Sequence, residues 1–408
     1  MEQKKKSNFT FLLIALGGVL LATTLFTTLG RGCGAPQAVI PELSEQDRGV
    51  YTDYVLARSR SPKDFILDAF RDHDVVYLGD SFSHNNYQIV RQAVSGLLEK
   101  GVGAIGVEFA LADDQDKIDA LLTADEYDED QTRDILTNQF VSIAYQESLQ
   151  LFRQVWTINH GLPRSARPLR ILGLGVKIQA EYFSKKEYRD NKELQKKALG
   201  GRTLDEGFFL NIDREVIRKK ARALLYMSTY NCFENVRMKT LDTYYKDLGL
   251  EFKGTAAMLS RAALGDRQTC LMFHNAWPLN EQQVLLFPMG GVLDAVIKAL
   301  PSDKRDAGFA VAGSPFAEMA VAEGFKGTDD KPVRLLDLGE GYILNGELSS
   351  YRFTPLAPGS INAARIEKIY RVMGVDPAEA KAKTPEEFIA LYNDQIEATN
   401  KEFAALPH

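Results

Sequence analysis

The chain has 408 residues, 45% hydrophobic and 25% charged, which is enough to bury a sizeable core as one large domain or two modest ones. A formal charge of −6, with no basic stripe interleaved with aromatics, argues against nucleic acid as a partner. Three cysteines, Cys33, Cys232 and Cys270, are too few for a disulfide scaffold; Cys232 and Cys270 either pair outside the cytoplasm or stay as two buried thiols.

Residues 1–8, MEQKKKSN, form a basic tip with three consecutive lysines. Phe9 to Leu29 follow without a charge, and as a helix that run is about 32 Å long, enough to cross a bilayer core. The spacing predicts one transmembrane anchor over 9–30, with the N-terminus cytoplasmic and the rest extracytoplasmic (the periplasmic side in a Gram-negative cell). A cleaved signal peptide and a lipid-anchored Cys33 are the rivals. Against them, Arg31 stands where a cleavage site takes small residues, and Gly30-Arg31-Gly32 departs from a lipoprotein pattern. Gly, Pro and charge then mark 31–60 as a linker.

From Ser61 onward, apolar strands alternate with amphipathic helices. FILDAF reads as helix and VVYLG, residues 75–79, as a buried strand. NYQIVRQAVSGLLEKG is a helix with Ile89, Val90, Ala93, Val94, Leu97 and Leu98 on one face, closed by Gly101. VGAIGVEFA is the next strand. The 28 positions from Asp80 to Glu108 match a βαβ unit. Helical stretches lead to a third strand, LRILGLGVKI, and a long charged region from about Asp213 to Lys246 reads as helical. TCLMFHNAW is the fourth strand. DAGFAVAGS, VRLLDLG and GYILNGELSSYRF are further strand candidates. The fold class expected is α/β: a mostly parallel sheet with helices on both faces and helical insertions over 61–360, preceded by the N-terminal transmembrane helix. Residues 361–408 read as a helical extension, where Thr384, Pro385 and Glu387 carry a capping-box signature.

In such a sheet, ligands bind beyond the carboxyl ends of the strands. The first strand ends in Asp80, Ser81, Ser83 and His84, the second carries Glu108 inside AIGVEFA, and the fourth ends in His274 and Asn275. A carboxylate at Glu108 needs a partner such as a structural arginine, a raised pKa, or cleft water. His84 near a helix N-terminus disfavours the imidazolium, which suits a neutral base. Ser81 and Ser83 are either capping and loop hydroxyls or substrate contacts. No GxSxG, HExxH or GxxxxGK[ST] occurs, and GLGVKI, residues 173–178, lacks the third glycine of a dinucleotide loop.

A strand ending in Leu-Gly-acid, a histidine shortly after, and a second strand carrying Glu about 28 residues on resemble the erythromycin esterase/ChaN/Tiki superfamily. LMFHNAW, MGGVLDAVIKAL and AGFAVAG are similar to its erythromycin-esterase branch, so the resemblance spans about residues 74–316. It implies that Asp80, His84, Glu108 and His274 are the site residues. Three positions depart from the pattern: Asp80 replaces the usual Glu, His84 falls one place late, and Trp277 stands where a second histidine is found.

The expected function is a membrane-anchored extracytoplasmic hydrolase acting on a small molecule or peptide. His84 activates water toward an ester or amide carbonyl, Asp80 or Glu108 fixes its tautomer, and His274 and Asn275 stabilise the oxyanion or orient substrate. Ser81, Ser83, Asn275 and Trp277 are the expected substrate contacts. The same Asp80, His84, Glu108 and His274 equally suit a divalent metal, as the Tiki-like branch implies. The ChaN-like branch implies instead a surface protein binding haem or iron, with Tyr51, Tyr54, Tyr77 and Tyr87 as phenolate candidates. A catalytically inactive interaction module is the remaining alternative.

Overall fold

The computed structural model describes residues 39–139, 145–185, 187–188, 191–278, 285–321, 325–327 and 332–407. The expected anchor over 9–30, the basic tip and Cys33 lie outside them. No helix among the described residues is long and apolar enough to cross a membrane.

The strands in chain order are β1 (Val75–Asp80), β2 (Ala104–Leu111), β3 (Arg170–Gly175), β4 (Ala223–Ser228), β5 (Val236–Met238), β6 (Gln268–Phe273), β7 (Trp277–Pro278), β8 (Leu285–Leu286), β9 (Asp306–Ala310), β10 (Phe325–Gly327) and β11 (Gly341–Asn345). Seven form one sheet in the order β3-β2-β4-β1-β6-β11-β9. Every neighbouring pair in it is parallel except β11 with β9, so the sheet is mostly parallel with one antiparallel edge. The short β5 pairs with β10 and β7 with β8, both antiparallel.

Alternation along the strands divides the interior into two layers. Val76, Leu78, Ile105, Val107, Tyr226, Leu271 and Phe273 pack on one face against the helices His84–Leu97, Gln115–Thr123 and Tyr145–His160. Val75, Tyr77, Leu225, Met227, Cys270 and Met272 pack on the other against Leu204–Ile212, Ala256–Leu264 and Val292–Ala299. The neighbouring strands β1 and β6 send their following helices to opposite faces, which makes their carboxyl ends the switch point of the sheet, where ligands bind in folds of this class.

Three sequence expectations change. Ala223–Ser228, inside the long region expected to be helical, is β4, between β2 and β1 in the sheet. Its run ALLYMS is buried on both faces, and a continuous apolar strand has no period to set it apart from helix. VRLLDLG gives a short helix, Leu335–Leu338, rather than a strand, with Asp337 closing a capping contact on Arg334. The expected linker 31–60 contains the helix Glu45–Arg58. That helix is docked: Tyr51 stacks on Phe316 with ring centroids 5.1 Å apart, and the Tyr54 hydroxyl donates to the Ala310 carbonyl at 2.9 Å. Cys232 and Cys270 are free and buried, as the thiol reading has it. The C-terminal helices Ala363–Val372 and Pro385–Ala404 lay Ile366, Ile369, Phe388, Ile396 and Phe403 into the first layer, and Thr384 forms the capping box its sequence predicts.

Candidate active site

Asp80 ends β1 fully buried, with donors on both of its oxygens. Ser81 N and Asn86 Nδ2 donate to Oδ1 at 2.7 and 2.6 Å, and the Tyr226 hydroxyl donates to Oδ2. Burial pushes this carboxyl up to about 6, against the pull of its donors. The next residues turn sharply. Phe82 sits at φ +65, a left-handed conformation rare outside glycine, and its ring packs edge-on to Phe109 and Tyr226. Ser83, fully buried, then caps the helix His84–Leu97 by accepting from Asn86 N at 3.3 Å. Asp80 is therefore an internal anchor of this turn, and Ser83 is a helix cap rather than a substrate contact.

Asn275 bridges the ends of β1 and β6. Its Oδ1 accepts from Ser81 Oγ at 2.9 Å and from Asn86 Nδ2 at 3.0 Å, while its own amide donates to the Phe273 carbonyl at 3.1 Å. Completely buried and engaged at both ends, Asn275 braces the first loop and is not free to meet an oxyanion. Half-buried Ser81 is the member of this group that keeps access to solvent. The side chain of Trp277 lies outside the described residues; its backbone pairs with Leu286.

The four expected catalytic residues divide between the two faces of the sheet. Asp80 is opposite Ser228 and Val107 is opposite Tyr226, so Glu108, one residue further along β2, points to the other face from Asp80. Glu108 Oε2 accepts from Ser228 N at 3.0 Å and Asn231 Nδ2 at 2.7 Å. The expected structural arginine is absent among the described residues, and burial pushes the Glu108 carboxyl up to about 7. His274 also faces the second layer. It is completely buried, with Nδ1 bonded to the Tyr342 hydroxyl at 3.0 Å and Nε2 to Asp294 Oδ1 at 3.1 Å. A histidine without solvent access cannot orient a substrate there.

His84 is the exception. Its side chain is 39% exposed, and its Nδ1 lies 2.9 Å from Oε1 of Glu147, a carboxylate 2% exposed. Thr354 joins the pair: its hydroxyl donates to the same Glu147 oxygen and lies 3.1 Å from Nδ1. With Nδ1 carrying the proton toward Glu147, Nε2 is the basic nitrogen, and the Gln88 amide stands 3.2 Å from it. The hydrogen bond to Glu147 raises the His84 pKa above its ordinary 6.5, outweighing desolvation and the nearby Arg91 charge. The expectation that the helix N-terminus leaves this imidazole weakly basic is overturned by that one carboxylate. The tautomer-holding role expected of Asp80 or Glu108 falls to Glu147.

Glu147 left a signal in the sequence. It lies four residues before Leu151 and eight before Val155 on the helix Tyr145–His160, so a carboxylate occupies the buried stripe. Asn86 marks itself in the same way, in line with Ile89, Val90 and Ala93. Tyr226 was hidden with its strand.

Among the described residues neither expected set of ligands is assembled. Among the described residues no group of three or more His, Cys, Asp or Glu is placed to hold a metal ion, because Asp80, His84, Glu108 and His274 do not converge. For haem, Tyr77 and Tyr87 are fully buried, with burial holding their hydroxyls well above 10. Tyr51 is packed on Phe316 and the Tyr54 hydroxyl is bonded to Ala310, so the four tyrosines offer no phenolate set.

The chain is similar in structure to a protein from Bacillus cereus, over 77% of this chain and 99% of that one, with 10% sequence identity and a TM-score of 0.50. ChaN of Campylobacter jejuni, in a structure of cofacial haem binding, matches over 55% of this chain and 90% of its own, at 13% identity and a TM-score of 0.35. A succinoglycan biosynthesis protein matches over 57% and 77%, at 9% identity and a TM-score of 0.36. At 10% identity the likeness to the Bacillus cereus protein is one of fold alone. No protein-family model matches the chain, and neither does any curated protein.

Proposed function

We propose that this chain is a membrane-anchored, extracytoplasmic hydrolase of the erythromycin esterase/ChaN/Tiki kind, with His84 as general base and Glu147 as the group that holds it. One observation carries the reading: a half-exposed imidazole at the carboxyl end of a central strand, its Nδ1 fixed by a buried carboxylate. Water entering beside Nε2 displaces the Gln88 amide and gives its proton to His84 as it attacks an ester or amide carbonyl. Glu147 stabilises the imidazolium so formed, and Thr354 keeps that carboxylate in place. Ser81, with its access to solvent, is the hydroxyl available to a substrate. No step runs through a metal or haem. The apolar run Phe9–Leu29 supports the anchor, which would hold the α/β domain outside the membrane.

The test is hydrolysis of a panel of chromogenic esters and amides by the full chain in detergent. His84→Ala is expected to lower the rate by about 10²- to 10⁴-fold. A panel with no turnover, or turnover that His84→Ala leaves unchanged, would sink the proposal.

A further inference from the structure

We infer that the molecule on which His84 acts carries an anionic group, a carboxylate or a phosphate, and that the guanidinium of Arg91 binds it. The inference rests on the proposed role of His84 and adds a substrate class to it. Residues 84, 88 and 91 are spaced i, i+4 and i+7 on the helix His84–Leu97, so they share one face. Arg91 stands about 10 Å along the axis from His84, and helical side chains lean back toward the N-terminus, which brings the guanidinium toward the imidazole. The two groups feel each other, since the Arg91 charge acts against protonation of His84.

Neutral partners hold Arg91 in place. Its Nε donates to Gln154 Oε1 at 3.1 Å and its Nη1 to Gln150 Oε1 at 2.5 Å, while the Gln154 amide donates back to the Arg91 carbonyl at 2.7 Å. Glu147, one turn before Gln150 on the same helix, is turned to His84. Among the described residues no carboxylate pairs with Arg91 and Nη2 has no hydrogen bond. Two amides thus fix the plane of a half-buried cation and leave its charge uncompensated. A planar fork with a free edge matches a carboxylate or phosphate, and such charge-assisted bonds are about twice as strong as neutral ones.

Inorganic phosphate is the probe. The full chain in detergent, labelled at its histidines, is titrated with phosphate while the His84 resonance is followed by NMR. A saturable shift is expected, with the apparent His84 pKa rising, since the bound anion neutralises Arg91. Arg91→Gln should weaken phosphate binding at least tenfold, with the His73 and His274 resonances unmoved as the check on folding. Should that variant misfold, Arg91→Lys is the second test: it keeps the charge without the fork and should bind phosphate at least several-fold more weakly than the parent, equal binding overturning the inference. No saturable shift, or equal binding by Arg91→Gln, overturns the inference. The two readings fail separately. Arg91-dependent phosphate binding without turnover of any ester or amide leaves the anion site and removes the hydrolase. Turnover in which Arg91→Gln does not raise KM for anionic over neutral substrates keeps the hydrolase and removes the anion site.

Discussion

In the proposed reaction, one contact between His84 and Glu147 carries the chemistry. Because Glu147 raises the His84 pKa, the imidazole stays protonated to a higher pH than a free histidine would, and a general base must lose that proton. The rate should therefore rise with pH through a midpoint above 6.5. Glu147→Gln should move that midpoint down toward 6.5 and lower the plateau by roughly 10- to 100-fold. A pH–rate profile of parent and variant checks both. Asp80 answers to different physics. Asp80→Ala would leave the Tyr226 hydroxyl and one of the two amide N–H groups of Asn86 buried without an acceptor, the other staying on Asn275, at a cost of about 2–4 kcal/mol. Urea unfolding measures it, and Asp80→Asn should recover much of the loss.

At the scale of elements, the glycines of GLGVKI serve the contact between strands. A Cβ on Gly175 would lie 2.7 Å from the carbonyl oxygens of both Glu108 and Ala110, where β2 shifts its register against β3. Backbone cannot yield as a flexible side chain does, so Gly175→Ala should destabilise the fold by about 1–3 kcal/mol, read as a lower thermal midpoint. The same change would displace the end of β2 that carries Glu108. The helix Pro385–Ala404 depends on its cap: Thr384 accepts from Glu387 N at 3.2 Å, and Thr384→Ala should cost about 1 kcal/mol in the same measurement.

Across the whole molecule, buried carboxyls set the response to pH. Burial raises Asp80 to about 6, and Glu108, Asp205 and Glu234 to about 7. The unfolded chain releases these protons near pH 4, whereas the folded chain keeps them to pH 6 or 7, so stability falls as pH rises across that interval. His84 acts in the same sense: its raised pKa contributes stability below 6.5 that is lost as pH climbs through the folded value. Carboxyls held low, such as Glu206 and Glu215, lose their contribution only as pH falls through their depressed values. The unfolding free energy should therefore be greater at pH 5 than at pH 8, by about 1.4 kcal/mol at most for each unit of upward shift that lies above pH 5. Denaturant titrations at the two pH values, followed by circular dichroism, give the sign directly.

Periodicity alone determined most of the fold class here. The alternation of apolar strands with amphipathic helices, the helix after Asp80, the strand holding Glu108 and the capping box at Thr384 are local patterns, written in spacing. The strand Ala223–Ser228 escaped because a run buried on both faces carries no period. The site divides on the same principle. His84 was legible because it follows the end of an evident strand. Which carboxylate would meet it was decided by tertiary structure, since Glu147 is 63 residues away and arrives on a helix packed across the first layer. Sequence order placed Asp80, Glu108 and His274 at strand ends, and register then turned Glu108 and His274 to the opposite face. Alternation fixes the face of a side chain only once the pairing of its strand is fixed, and that pairing is made by residues far apart in the chain.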